Sequence, residues 1–156
     1  MERDGSIMVF VLLEISLGLL VGLMMTLQGI INTALASRVG TYGSIFVLTI
    51  VNLLLVGAIV LIFPKTVSLQ NLPGPKEWYL YLGGVLGVFI LALVISILPR
   101  LGATMAFMYI IIGQLLAALL VDHYGLLGMP ATPITFSKIA GIVFFLLGAF
   151  FVTRTA

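Results

Sequence analysis

The sequence predicts an all-α integral membrane protein with five transmembrane helices, and three observations predict this fold class. Of the 156 residues, 62% are hydrophobic and only 8% are charged, whereas a soluble domain carries about 25% charged residues. The apolar runs exceed the roughly 18–20 residues needed to span a bilayer. They also lack the alternation of an outer-membrane strand. Because backbone polar groups in hydrocarbon must be paired, runs of this length are expected to be helices.

The apolar runs define a single transmembrane domain over residues 1–156. The predicted spans are 8–36, 42–63, 78–98, 103–121 and 138–153. The apolar core of a signal peptide is about 7–15 residues long, so the longer first run is expected to be retained as a span. It also exceeds the ~30 Å hydrocarbon core, and we expect it to tilt, bend or project. Thr135 or Ser137 is expected to cap the last helix.

The basic residues give little bias to the orientation of the chain. With five spans, one side of the membrane carries Arg3, Lys65, Lys76 and Lys138. The other side carries Arg38, Arg100 and Arg154. A division of four basic residues against three gives almost no preference for either orientation under the positive-inside rule. Two interpretations stay open: an orientation set by a partner or by helix hydrophobicity, and a dual topology in which copies insert both ways and pair as an antiparallel (inverted) dimer.

The first span has one small, polar face. On a helical wheel at about 100° per residue, seven of its residues fall within about 80° of one another: Glu14, Gly18, Gly22, Met25, Gly29, Asn32 and Ala36. Gln28 lies about 40° to one side. Small faces let helices approach closely in lipid, and a face with acidic and amide groups can also border a cavity. Both interpretations remain open.

Glu14 is the only ionisable residue well inside a predicted span. Acidic groups at the centre of a bilayer cost about 2.5–3.5 kcal/mol on insertion scales, and less toward the interface. One interpretation is an interfacial carboxylate that reaches water. The other is a carboxylate that couples a proton or a cation, which makes Glu14 the candidate for ion coupling.

Five polar side chains on the spans are candidates for substrate binding. They are Gln28, Asn32, Asn52, Tyr109 and Gln114. An amide in hydrocarbon needs a partner, and interhelical hydrogen bonds contribute about 0.6–2 kcal/mol. Each amide could therefore hold helices together, or the group could line a path for a ligand.

Asp122 and His123 form a polar pair at the end of the fourth span. A carboxylate at a helix C-terminus is electrostatically unfavourable, so Asp122 is expected to have a partner such as His123 or Lys138. The chain has one histidine and no cysteine, and it lacks the H-E-x-x-H and G-x-S-x-G patterns. We therefore expect no enzyme, no catalytic residue, no metal and no cofactor. Since the basic residues are not clustered, no nucleic-acid partner is expected.

Several short motifs resemble one family of small membrane proteins. They are LGGVLG at 82–87, LPRLGAT at 98–104, GQ at 113–114 and VDHYGL at 121–126. Gln28 and Asn32, followed by Leu35, match a Gln-x-x-x-Asn-x-x-Leu element, and Pro133-Ile134-Thr135 precedes Lys138 and Gly141. This pattern resembles the YdcZ-type small transporters of the drug/metabolite transporter superfamily. The resemblance covers nearly the whole chain and includes Gln28, Asn32, Gln114, Asp122 and His123. Glu14 is not one of the residues of the matching pattern.

The resemblance implies a secondary transporter subunit in a bacterial inner membrane. Such a subunit would move a small organic solute or drug-like metabolite by alternating access, as a homodimer or as a heterodimer with a related five-helix subunit. Its partners would be that subunit, membrane lipid and the solute. Two alternatives stay open: a non-transporting membrane scaffold or accessory subunit whose polar residues serve helix packing, and an intramembrane enzyme that uses Asp122 and His123.

Overall fold

The structure, a computed structural model, describes the backbone of residues 2–154 and the side chains of residues 8–154. The side chain of Arg3, counted above, lies outside this part. The four α-helices are α1 (Glu2–Val39), α2 (Thr41–Ile62), α3 (Leu82–Tyr124) and α4 (Phe136–Arg154). Short 3₁₀ turns lie at Pro64–Thr66, Leu69–Asn71, Pro75–Tyr81 and Leu126–Gly128. No strand occurs between residues 2 and 154, which confirms the all-helical prediction.

Four helical segments are long and apolar enough to cross a membrane among the described residues. They are Met8–Val39, Thr41–Ile62, Pro75–Tyr124 and Phe136–Arg154. The third contains α3, whose backbone leaves the helical conformation at Gly102 (φ 73°, ψ 163°). Each half of α3, 82–101 and 103–124, is about 30 Å long. Counting the halves separately gives five helices.

The break in α3 lies slightly beyond the predicted end of the third span. Pro99 and Arg100 were expected to end the helix there, but helical backbone continues through Pro99 as far as Leu101. Proline removes one backbone hydrogen bond without forcing positive φ. Gly102 therefore ends this half, because its backbone conformation is one that essentially only glycine adopts.

A single glycine connects α1 and α2. The Gly40 N–H donates to the Ala36 carbonyl at 2.8 Å, and the Gly40 carbonyl accepts from the Ser44 N–H at 2.9 Å. Gly40 thus completes the hydrogen bonding of α1 and begins that of α2. Its backbone (φ 79°, ψ 163°) lies in the region open essentially only to glycine. This conformation makes a one-residue connection between two helices.

The break at Gly102 repeats the turn at Gly40. The two glycines have nearly the same φ and ψ, and each follows an arginine and an aliphatic residue. Four residues after each glycine comes a small side chain, Ser44 or Ala106, with 0% exposure. The chain therefore contains two copies of one helix–glycine–helix pattern, an internal repeat that the sequence reading missed.

The described chain divides between Arg100 and Leu101 into two compact units. Their buried apolar side chains are few: Ile45, Ile95, Leu98, Ala106 and Ala149. Large apolar side chains are instead widely exposed, as Leu61 (83%) and Phe136 (86%) illustrate. In water this exposure would be unfavourable, but it suits surfaces that face lipid chains or other helices within a bilayer.

Candidate functional site

Asn32 is the most deeply buried of the predicted site residues. It lies two turns before Gly40 and is 3% exposed. The Ser44 hydroxyl donates to the Asn32 backbone carbonyl at 3.2 Å, which joins α2 to α1. The Asn32 side-chain amide makes no hydrogen bond with another described residue, and no buried side-chain nitrogen or oxygen among the described residues lacks a partner. The amide atoms of this otherwise buried residue therefore keep some accessible surface, where another group can bond to them.

A cavity of about 200 Å³ lies beside this turn. It is lined by Thr33, Ala36, Ser37, Thr41, Ile95 and Pro99. The Thr33 hydroxyl donates to the Gly29 carbonyl at 2.8 Å, and the Ser37 hydroxyl donates to the Ala34 carbonyl at 2.7 Å. Their oxygen lone pairs remain available as acceptors. The cavity is smaller than the ~300–1,000 Å³ of typical ligand pockets, so it suits a few waters or one small polar group.

Gln28 and Asn52 are exposed on α1 and α2. Each lies twelve residues from Gly40, which is about 18 Å of helix. If the Gly40 turn lies near a membrane face, both amides reach the middle of the ~30 Å hydrocarbon core. Neither amide has a side-chain hydrogen bond among the described residues. With the Gly40 turn at a membrane face, both exposed amides would meet a polar group at mid-membrane depth.

Gln114 occupies the same position in the second copy of the repeat. It lies twelve residues after Gly102, as Asn52 lies twelve residues after Gly40, and it is also exposed. The repeat therefore places an amide at equivalent points of two helices.

Tyr109 lies on the second half of α3 and is 51% exposed. With Met108, Ile112 and residues of α4 it lines a cavity of about 200 Å³. The α4 residues are Leu146, Ala149, Phe150 and Thr153. The Tyr109 hydroxyl makes no hydrogen bond within the described part of the chain.

Glu14 is exposed and stands apart from the amides of α1. It lies eighteen residues before Asn32 on one continuous helix, a separation of about 27 Å. A small solute held by Asn32 would not reach the Glu14 carboxylate. Any coupling between these residues would therefore act over a distance and not through a shared contact.

Asp122 belongs to a cluster that ties the end of α3 to the start of α4. The Lys138 ammonium lies 3.9 Å from an Asp122 carboxylate oxygen and donates to the Thr132 hydroxyl at 2.9 Å. The Thr132 N–H donates to the Asp122 carbonyl at 2.7 Å. Lys138 is thus the expected partner of Asp122. The His123 ring instead packs edge-on against Tyr124, with centroids 4.9 Å apart.

Glycine and threonine shape this cluster. Gly125 ends α3 in the left-handed conformation (φ 60°, ψ 41°), the usual role of a glycine after a helix C-terminus. The Thr135 hydroxyl accepts from the Lys138 N–H at 3.3 Å, which confirms Thr135 as the cap of the last helix. Ser137 lies inside α4 and was the wrong alternative.

Sequence reasoning missed Ser44 and Thr132. Ser44 makes one of the tertiary hydrogen bonds described above, and Thr132 makes two. Ser44 could have been found from the repeat, because it lies four residues after the first Arg-aliphatic-Gly pattern, as Ala106 does after the second. Thr132 carries no comparable signal. It meets Asp122 only because Gly125 and the following turn bring the chain back to α3.

Comparison with known proteins supplies one match. Residues 13–151 match a family model described as "Putative inner membrane exporter, YdcZ". No curated protein and no solved structure matches the chain. The matched range includes Glu14, every candidate substrate-binding residue and the Asp122–Lys138 cluster. The chain therefore belongs to the YdcZ family of the inner membrane.

Proposed function

We propose that this chain is a subunit of a secondary transporter that exports a small organic solute or drug-like metabolite by alternating access. The family description supports an inner-membrane transporter with outward transport. The chain carries no nucleotide-binding motif, and we assign the energy source to an ion gradient or to the gradient of the solute.

The proposal includes five crossings of the membrane and a working unit of two chains. Each half of α3 has the length of one crossing, and Gly102 supplies the connection. An odd number of spans, with four basic residues facing three, allows copies to insert in opposite orientations. Two such copies reproduce the inverted repeats that are common in transporters. A related five-helix chain as partner would satisfy the same symmetry.

The position of the Asn32 amide carries the proposal. The residue as a whole is 3% exposed, yet no buried side-chain nitrogen or oxygen among the described residues lacks a hydrogen-bond partner. The amide atoms, which bond to no described residue, therefore lie at the edge of the packed helix pair, where a polar group of a solute can reach them. Polar groups inside membrane helices mark solute paths more often than they mark lipid contacts. We assign Asn32 to solute binding, together with Gln28, Asn52, Tyr109 and Gln114. A scaffold held together by these amides would be expected to pair them.

Export from proteoliposomes tests the proposal directly. Vesicles containing the purified chain are loaded with a bacterial metabolite extract, and mass spectrometry follows the external medium. We expect at least one metabolite to leave faster than from protein-free vesicles. If every metabolite leaves at the protein-free rate, with and without a pH gradient, the scaffold alternative is correct.

A further inference from the structure

A third cavity, of about 380 Å³, lies between the second half of α3 and α4. Its volume is within the range of small-molecule sites, and all of its residues belong to one compact unit. Its polar end is formed by Asp122, Ser137 and Lys138. Its remaining wall is apolar and includes Leu115, Leu119, Ile142 and Phe145.

The cavity runs from helix ends into the apolar part of the helices. Leu115 precedes Asp122 by seven residues, and Phe145 follows Lys138 by seven residues, so the apolar wall covers about 10 Å of each helix. Small residues keep it open. A Cβ atom added to Gly141 would meet nothing within 4 Å. A ligand that fills this space has a polar head and an apolar body about two helical turns long.

The charges at the polar end stand at the unfavourable ends of their helices. Asp122 lies in the last turn of α3, at the negative end of the helix dipole. Lys138 lies in the first turn of α4, at the positive end of the helix dipole. Each charge is unfavourable for its own helix, but for a ligand the charge of the side chain and the dipole of its helix attract the same type of group. The site therefore has a negative pole that attracts a cation and, close by, a positive pole that attracts an anion.

Both poles keep free hydrogen-bonding capacity. At 3.9 Å the Asp122–Lys138 contact is an ion pair beyond hydrogen-bond range. The Lys138 ammonium has three donors and gives one to Thr132. The Asp122 carboxylate accepts no hydrogen bond from any described residue. The two side chains are 50% and 36% exposed, for Asp122 and Lys138 respectively, so a ligand can reach both.

We propose that this cavity binds a zwitterionic amphiphile. Its ammonium group pairs with Asp122, its anionic group pairs with Lys138, and its apolar chain lies along the wall formed by α3 and α4. Two sources share this chemistry: the headgroup of a phosphatidylethanolamine-type lipid, and a free apolar amino acid. The site does not rest on the proposed transport function, because binding can be measured without transport.

Thermal unfolding of the full chain in dodecyl maltoside tests the proposal. The probes are lysophosphatidylethanolamine for the lipid source and 2-aminooctanoic acid for the free solute. Lysophosphatidylglycerol and octanoic acid are the matched probes without an ammonium group. We expect at least one zwitterionic probe to raise the melting temperature and its matched probe to leave it unchanged. A response to only one of them identifies the source. If neither raises it, or if the matched probes act equally, the proposal is wrong.

Two substitutions locate the binding. Gly141→Leu fills the cavity and is expected to raise the Kd of the active probe at least tenfold. Gly148→Leu is its matched control, because Gly148 lies two turns further along α4, also has open space around an added Cβ and does not line the cavity. Asp122→Asn keeps the shape of the side chain and is expected to raise the Kd about fivefold, as expected for a half-exposed charge pair. An unchanged Kd in Asp122→Asn would overturn the assignment even if Gly141→Leu does not fold.

Discussion

At Asn32 a structural contact and the proposed solute-binding role fall on different atoms. Its backbone carbonyl accepts the hydrogen bond from Ser44 that joins α1 to α2. Its side-chain amide bonds to no other described residue and is not fully buried, because no buried side-chain nitrogen or oxygen in this part of the chain lacks a partner. The helix contact therefore does not depend on the asparagine side chain, and a substitution can separate stability from function.

Substituting Asn32 by leucine is expected to leave the melting temperature unchanged or to raise it. Leucine has a similar volume and replaces an amide that bonds to no other described residue, so the helix pair loses no hydrogen bond. Ser44→Ala is the comparison, because it removes the hydroxyl that bonds to Asn32. It is expected to lower the free energy of unfolding by about 0.5–1.5 kcal/mol. If Asn32→Leu were destabilising to the same degree, the amide would be holding helices together.

Glu14 gives a second prediction for a single side chain. If its carboxylate couples transport to protons, Glu14→Gln should abolish the dependence of flux on a pH gradient and leave the fold intact. Glu77→Gln is the control, because Glu77 is the exposed acidic residue of the turn before α3. Flux is measured in proteoliposomes with and without a pH gradient. Undiminished pH-driven flux in Glu14→Gln would remove this residue from the mechanism.

The helices are joined by glycine at the two points where no loop exists. Gly40 and Gly102 share a backbone conformation with positive φ and ψ near 163°. At Gly40 the preceding helix completes its hydrogen bonds while the next one begins. Four residues after each glycine lies a small, fully buried residue, Ser44 or Ala106. The turn between α1 and α2 and the break within α3 thus use the same glycine conformation.

Gly40→Ala is expected to destabilise the chain by about 1–3 kcal/mol, because alanine is strained in this backbone region. Gly57→Ala is the matched control. Gly57 lies inside α2, and an added Cβ meets nothing within 4 Å. Alanine favours a helix over glycine by about 0.8–1 kcal/mol, so Gly57→Ala should be neutral or stabilising. Thermal melts in one detergent compare the two variants. Equal melting temperatures would show that the turn does not require glycine.

The sequence predicted the second helix closely and the break in α3 less closely, for different physical reasons. The second span was predicted at 42–63, and α2 is Thr41–Ile62, because Gly40 and Pro64 bound it on both sides. The break was expected at Pro99, but the helical backbone continues through Pro99 and leaves the helical conformation at Gly102. The conformation of Gly102 became apparent only from the backbone.

The candidate site was predictable only as a set of residue types. Amides on apolar spans are visible in the sequence, and so are the charges at helix ends. The helical wheel places Asn32 on the small face of the first span and Gln28 about 40° to one side, but which of the two amides is buried depends on how α2 packs on α1. The partner of Asp122 was one of two candidates, and the loop that carries Thr132 decided between them.

The proposed dual topology rests on the charge distribution of the whole molecule. With five crossings, the basic residues divide four against three between the two sides, as expected of a chain that inserts in either direction, and the apolar helices leave wide surfaces for lipid or for a second chain. An inverted pair of chains would place equivalent polar residues at the same depth from opposite faces. This arrangement would supply the symmetry that alternating access requires.

Dual topology is tested by labelling single cysteines with a membrane-impermeant maleimide. The chain has no cysteine of its own, so Thr66→Cys and Tyr42→Cys report two opposite sides without altering the charge balance. We expect each site to be labelled from both faces of sealed vesicles. Arg100→Ala leaves four basic residues against two and should shift the population toward one orientation. Labelling of each site from one face only would contradict dual topology for this chain.

The Asn32 amide is proposed to bind a solute that crosses the membrane. Metabolite efflux is compared between proteoliposomes containing the wild-type chain and proteoliposomes containing Asn32→Leu, at equal protein content and equal melting temperature. We expect at least one metabolite to leave the wild-type vesicles faster than protein-free vesicles, and Asn32→Leu to abolish most of this difference. Equal efflux from the two proteins, or no efflux above that of protein-free vesicles, would contradict it.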